Sequence, residues 1–235
     1  MPLRDVRTHG KKPPMLVSRS AGGSTPLMSW EANSGVTSAS IGGAVSAWVS
    51  GGYTLNQGGS AWRPTHVAAF TTGHGVQFDG SSHFLTLEHT FTGSTGSLAI
   101  VFRTGIIGTR RALLSQADTD TGNDWFEIGI TAAGQIYIEN CVGGTVSRIV
   151  GSTVLSASTS YQLFACYDGT DYYLALNGVE ENPLVVESIG TRGWLSTVSG
   201  GDTFSVGIGL QANTAVHFFN GTLGVIRIWD TDITH

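Results

Sequence analysis

The sequence predicts an all-β chain folded as a two-sheet antiparallel β-sandwich. Gly, Ser and Thr crowd between short apolar runs, and Gly alone is 33 of 235 residues, about twice its usual share. Turn signals recur roughly every ten residues, the spacing of sandwich strands. No segment carries a sustained apolar stripe of helical period, and no internal repeat of fixed period is visible. A chain of 235 residues is long enough to bury a sizeable core.

The first 26 residues show neither periodicity. Pro13-Pro14 and Gly22-Gly23 argue against helix, because proline removes a donor and glycine leaves the backbone unrestrained. Residues 1–26 therefore read as an extended arm and 27–235 as the folded domain. Strands are expected over 27–33, 76–79, 83–87, 97–103, 111–116, 125–130, 135–141, 161–167, 172–177, 203–210 and 223–230. Asn177-Gly178 after YYLAL suits a primed hairpin turn, whose two central residues both need positive φ. Asp168-Gly169 joins YQLFACY to DYYLALN and is expected to turn in the same style. Ala132-Ala133-Gly134 separates WFEIGI from QIYIENC. Asp79-Gly80 reads as turn chemistry, the Asp bonding local backbone and the Gly taking the left-handed conformation.

Charge is sparse and uneven. Charged residues are 12% of the chain, about half the usual share. The arm holds Arg4, Arg7, Lys11, Lys12 and Arg19 against Asp5, a balance of +4. The remainder has seven basic and sixteen acidic residues, a balance of −9. Nucleic-acid binding is not expected of so acidic a body, and the arm lacks the interleaved aromatics of a stacking surface. No apolar run approaches the roughly 18 residues of a membrane span. The N-terminal stretch has no apolar core of signal-peptide length, so secretion by the ordinary signal route is not expected.

Particular residues now identify a resemblance. Trp30-Glu31-Ala32 opens the domain, Gly42-Gly43 precedes Trp48, and Arg63-Pro64 precedes a strand. Phe78, Asp79 and Gly80 are followed by Leu85. Phe219, Gly221, Leu223, Ile226, Arg227, Ile228, Trp229 and Asp230 close it. These positions resemble the LamG-like (laminin G-like) jelly rolls of the concanavalin A-like lectin and glucanase superfamily. The likeness runs over about 27–235 and implies a jelly-roll sandwich. It departs at Gly224 and Val225, where the family usually has an Asp-Glu pair. Architecture of this kind hosts lectins, hydrolases, adhesion modules and viral structural proteins, so it implies fold more than activity.

Candidate chemistry is thin. Glucanases on this fold place alternating acids on one strand, whereas WFEIGI has only Glu127, with Gly129 and Thr131 at the positions of the others. Glycoside hydrolysis needs two flanking carboxylates, so no catalytic residue is expected. Glu180-Glu181 are adjacent and read as a solvated rim. Asp118, Asp120 and Asp124 share one loop with the hard oxygen ligands that calcium favours. The competing reading is a polar loop whose Asp side chains cap turn amides. Otherwise no cofactor is expected. Trp62, Trp125, Tyr172 and Trp194 sit beside loops and are the candidate carbohydrate-stacking aromatics; each is alternatively a loop anchor. Trp30, Trp48 and Trp229 fall on family core positions and read as packing. Cys141 and Cys166 read as buried free thiols rather than a disulfide. None of the seven histidines has a ligand-like i, i+2 or i, i+4 partner.

The arm is the remaining clue. Similar LamG-like folds occur as phage decoration and tail proteins. The resemblance together with the basic arm implies a non-catalytic virion structural protein, made in the host cytoplasm and associated with capsid or tail. Its arm would bind other virion proteins or copies of itself. The alternative expectation is a carbohydrate-binding module recognising a cell-surface or matrix polysaccharide, such as a host glycan.

Overall fold

A computed structural model describes residues 25–38, 40–70, 73–120, 123–211 and 214–233. The arm residues Arg4, Arg7, Lys11, Lys12 and Arg19 therefore lie outside the described residues. The first strands are β1 (Met28–Glu31), β2 (Val36–Thr37), β3 (Ala47–Ser50), β4 (Tyr53–Asn56), β5 (Thr65–Phe70), β6 (Gly73–Asp79) and β7 (Leu85–Glu88). The centre of the chain supplies β8 (Gly96–Thr104), β9 (Arg111–Ala117), β10 (Trp125–Ile130), β11 (Gln135–Val142), β12 (Thr145–Val154), β13 (Ser160–Tyr167) and β14 (Tyr172–Leu176). The last are β15 (Val179–Glu180), β16 (Val185–Ser188), β17 (Thr203–Val206), β18 (Gly209–Gln211), β19 (Thr214–Val216) and β20 (Asn220–Trp229). Two single-turn 3-10 segments, Ser60–Trp62 and Leu195–Thr197, are the helical content of the described residues. No helix among them is long and apolar enough to cross a membrane.

The expected all-β sandwich is what forms. One sheet runs β15-β14-β13-β8-β20-β6-β5, with β1 also on β20. The other runs β16-β12-β11-β10-β9-β17-β7-β4-β3-β2, and β18 pairs with β19 as a separate hairpin. Alternation explains the core, since successive strand side chains point to opposite faces. On β10, Phe126, Ile128 and Ile130 enter the core cluster, and Trp125, Glu127 and Gly129 face outward. Trp30 of one sheet stacks on Phe204 of the other, ring centroids 5.8 Å apart. Trp30 and Trp48 are fully buried, as the packing reading requires. Trp229 also packs, but outside the main core. It is half-buried and covers Phe164 and Cys166 on the outward side of its sheet.

The turns largely follow their residues. Asn177 and Gly178 have φ of 51° and 77°, the primed turn expected. Asp79 takes bonds from the backbone N–H groups of Ser81, Ser82 and His83, each at 2.9 Å, and Gly80 has φ of 79°. Asp168-Gly169 corrects the expectation. Only Gly169 has positive φ, and Asp168 Oδ1 accepts from Thr170 and Asp171 N–H in a four-residue loop. The expected strand 203–210 is two elements, broken at Gly207, whose φ is 82°. Gly224 stands where the family has an acid because Phe70 packs there; a Cβ would sit 2.7 Å from its ring. Cys141 and Cys166 are buried on different sheets and are not joined in a disulfide.

Candidate functional site

The densest polar constellation among the described residues lies on the outward face of the ten-stranded sheet. Register builds it. In the β10–β11 ladder Trp125 faces Cys141, Glu127 faces Glu139 and Gly129 faces Tyr137. In the next ladder Glu139 faces Arg148 of β12. Two carboxylates, a phenol and a guanidinium thus share one face through pairing alone.

Charge neutralisation holds them there. Arg110, just before β9, donates from Nη2 to Glu127 Oε1 at 3.1 Å and to Glu139 Oε1 at 2.7 Å. Arg148 donates from Nε to Glu139 Oε2 at 2.6 Å, and its Nη2 lies 2.5 Å from the same oxygen. Both guanidiniums also lie over the Tyr137 ring, at 4.4 Å and 5.9 Å from its centroid, within cation–π range. The Tyr137 hydroxyl donates to Glu127. Gly129 makes this possible, since a Cβ there would come within 2.8 Å of that hydroxyl. Burial and the neighbouring Glu127 push the Tyr137 phenol well above its ordinary pKa, so it remains a donor.

The β18–β19 hairpin covers part of this face. Leu210 N–H donates to Ser115 Oγ at 3.2 Å, and the Gln211 amide reaches Glu127 and Glu139, each at 3.4 Å. His217 Nδ1 lies 3.1 Å from Glu127 Oε1. Glu127 is thereby completely buried and Glu139 is 2% exposed. Beside the covered part, an open depression of about 300 Å³ is lined by Arg110, Gln135, Tyr137, Arg148, Glu187 and the 131–133 turn. Arg148 and Glu187 meet there at 3.2 Å, with side chains 29% and 45% exposed.

The expected stacking aromatics divide. Trp125 lies on this face, half-buried, its Nε1 3.4 Å from Glu139 Oε1. Trp62 is 50% exposed at the β4–β5 connection and stacks on Phe84. Trp194 and Tyr172 do not present faces to solvent, a correction to the stacking expectation. Trp194 is 2% exposed, edge-on to Phe126, and Tyr172 is 8% exposed. The Tyr172 hydroxyl donates to Gly193 carbonyl at 2.5 Å, so both rings anchor the loop after Ile189. Glu181 is not a solvated rim residue either. It is 5% exposed and its Oε2 accepts from Ser152 and Thr153 N–H at 2.6 Å and 2.8 Å.

The acidic loop is also rearranged. Carboxylate oxygens of Asp118, Asp120 and Asp202 lie within 4.8 Å of one another, whereas Asp124 turns to the Gly143 N–H. Asp202, reached through the β17–β9 pairing, had no local sequence signal. Oxygen ligands of this type fit calcium, yet the same groups cap the loop. Asp118 Oδ1 accepts from Asp120 N–H at 2.9 Å, and Asp202 Oδ2 from Thr119 Oγ1 at 2.7 Å. His66 and His74, eight residues apart, come together across the β5–β6 hairpin with ring centroids 5.0 Å apart.

No protein-family model and no curated protein matches this sequence. Solved structures do match in fold. The CBM40 module of the Ruminococcus gnavus IT-sialidase, bound to α2,3-sialyllactose, superposes with a TM-score of 0.54 at 16% identity, over 66% of this chain and 89% of that one. NanB sialidase of Streptococcus pneumoniae gives 0.56 at 16% identity, over 67% of this chain but only 26% of that one. Mouse laminin α1 domains LG4-5 give 0.52 at 15% identity, over 73% and 45%. The likeness is one of fold, a two-sheet antiparallel β-sandwich shared with these modules.

Proposed function

We propose that this chain is a non-catalytic glycan-binding module that takes a carboxylate-bearing sugar on the outward face of its ten-stranded sheet. The observation that carries the reading is the depression beside Tyr137, where Arg110 and Arg148 are held in place from behind by buried carboxylates. A pocket of this size with a few fixed polar groups suits a saccharide unit. Arginine is the side chain whose planar fork matches a carboxylate. Trp125, on the same face, offers an apolar ring for a neighbouring sugar. Structural neighbours that hold sialyllactose lend support.

The carboxylates do not read as a hydrolytic pair. A general acid needs a raised pKa, whereas hydrogen bonds and charge from Arg110 and Arg148 overcome the effect of burial and hold Glu139 below its ordinary value. Glu127 has no exposed surface from which to reach a glycosidic oxygen. The particle-tether expectation rests on residues 1–26, nearly all outside the described residues, so the lectin-like alternative carries the proposal.

The test is a glycan array probed with the whole chain, with and without calcium because of the Asp118, Asp120 and Asp202 cluster. Binding to acidic glycans that Arg148→Ala reduces at least tenfold supports the proposal. A wild-type chain that binds no acidic glycan in either condition rejects it.

A further inference from the structure

We infer that Glu187 occupies the ligand's place on Arg148, so that a carboxylate-bearing sugar binds by displacing the Glu187 carboxylate from that guanidinium. This rests on the glycan-binding reading above and adds a residue that sets its affinity and selectivity.

The two faces of Arg148 are unequal. Toward the sheet, Nε and Nη2 are fixed by Glu139, itself 2% exposed. Toward the depression, Nη1 donates to Glu187 Oε2 at 3.2 Å, and the Glu187 side chain is 45% exposed. Exposed pairs of this kind contribute little to stability. Exchanging one carboxylate for another at Nη1 therefore leaves the buried half of the network intact.

Backbone geometry places Glu187 deliberately. Pairing of β12 with the edge strand β16 passes from Arg148↔Ser188 to Ile149↔Val186. Glu187 is left without a Cα partner, as the extra residue of a bulge. Bulges re-aim side chains and recur beside functional sites. Here the bulge turns a carboxylate of the edge strand onto the guanidinium that lines the depression, and Glu187 lines it too. While it stays, Glu187 fills the acceptor position and repels an incoming anion.

Titration calorimetry on the whole chain tests this, using N-acetylneuraminic acid and its methyl ester with the wild type and with Glu187→Gln. Matching thermal unfolding of the two proteins confirms that the variant folds. The expected result is a threefold or greater gain in affinity for the acid in Glu187→Gln, with the uncharged ester unchanged. Wild-type binding of the acid without a gain in the variant overturns displacement and leaves the glycan reading standing. An equal gain for acid and ester also overturns it, because simple unblocking would then account for the change. If neither protein binds either probe, both readings fall together.

Discussion

Arg148 stands directly across the β11–β12 ladder from Glu139, and its Nε donates to Glu139 Oε2 at 2.6 Å. Arg110 reaches the other oxygen of the same carboxylate at 2.7 Å. One buried carboxylate thus organises two guanidiniums above a single tyrosine ring. Removing one partner of a buried ion pair strands the other charge. Glu139→Gln is therefore expected to lower stability by about 2–3 kcal/mol, below the upper range for such pairs because both arginines keep some contact with solvent. Urea unfolding of the variant against the wild type measures this.

Acid should reveal the same carboxylate. Burial pushes Glu139 up, but bonds and charge from the two arginines outweigh it, and its folded pKa is lowered. Glu181 is lowered likewise by its bonds to Thr153 and Ser152, and Asp79 by those to Ser82, Ser81 and His83, again against burial. A lowered carboxylate contributes stability that is complete above the unfolded value, about 4, and is lost as pH falls through the folded value. Stability is expected to hold near neutrality and to decline below about pH 4. Glu139→Gln should show a shallower decline, read from unfolding midpoints across that range.

Two tryptophans separate fold from function. Trp194→Ala empties a buried site against Phe126 and is expected to cost about 3–5 kcal/mol. Trp125→Ala removes a half-buried ring from the outward face and should cost much less stability. Its expected effect is a loss of glycan affinity of about tenfold, the scale of a well-placed aromatic contact. Unfolding midpoints and binding titrations on both variants distinguish the two roles.

Aromatic and β-branched runs made most of the sandwich legible. WFEIGI, QIYIENC, YQLFACY and YYLAL all form strands where expected. The long strand β12 escaped because TVSRIVGSTV mixes Arg, Ser and Gly into its alternation. Its pairing with β11 and β16 places it instead. The site was half legible. Glu127 stood out as a lone acid, but Glu139 was not connected with it. The Ala132-Ala133-Gly134 turn held the missing signal. Ile130 and Ile136 pair across it, and counting three residues outward from each brings Glu127 opposite Glu139. Trp194 and Tyr172 were misplaced for a different reason. Beside a loop, an aromatic is equally suited to face a ligand or to pin the loop, and only tertiary packing distinguishes the two. Asp202 and Glu187 depend on strand pairings between distant segments, which no local pattern announces.

Chemical-shift mapping on the isotope-labelled whole chain during titration with α2,3-sialyllactose tests the central claim most directly. The account predicts saturable shifts concentrated at Gln135, Tyr137, Arg148 and Glu187, with the Trp125 indole N–H, and a large change at the Arg148 side-chain signals. Shifts confined to another surface, or none at ligand concentrations in the millimolar range, would contradict it.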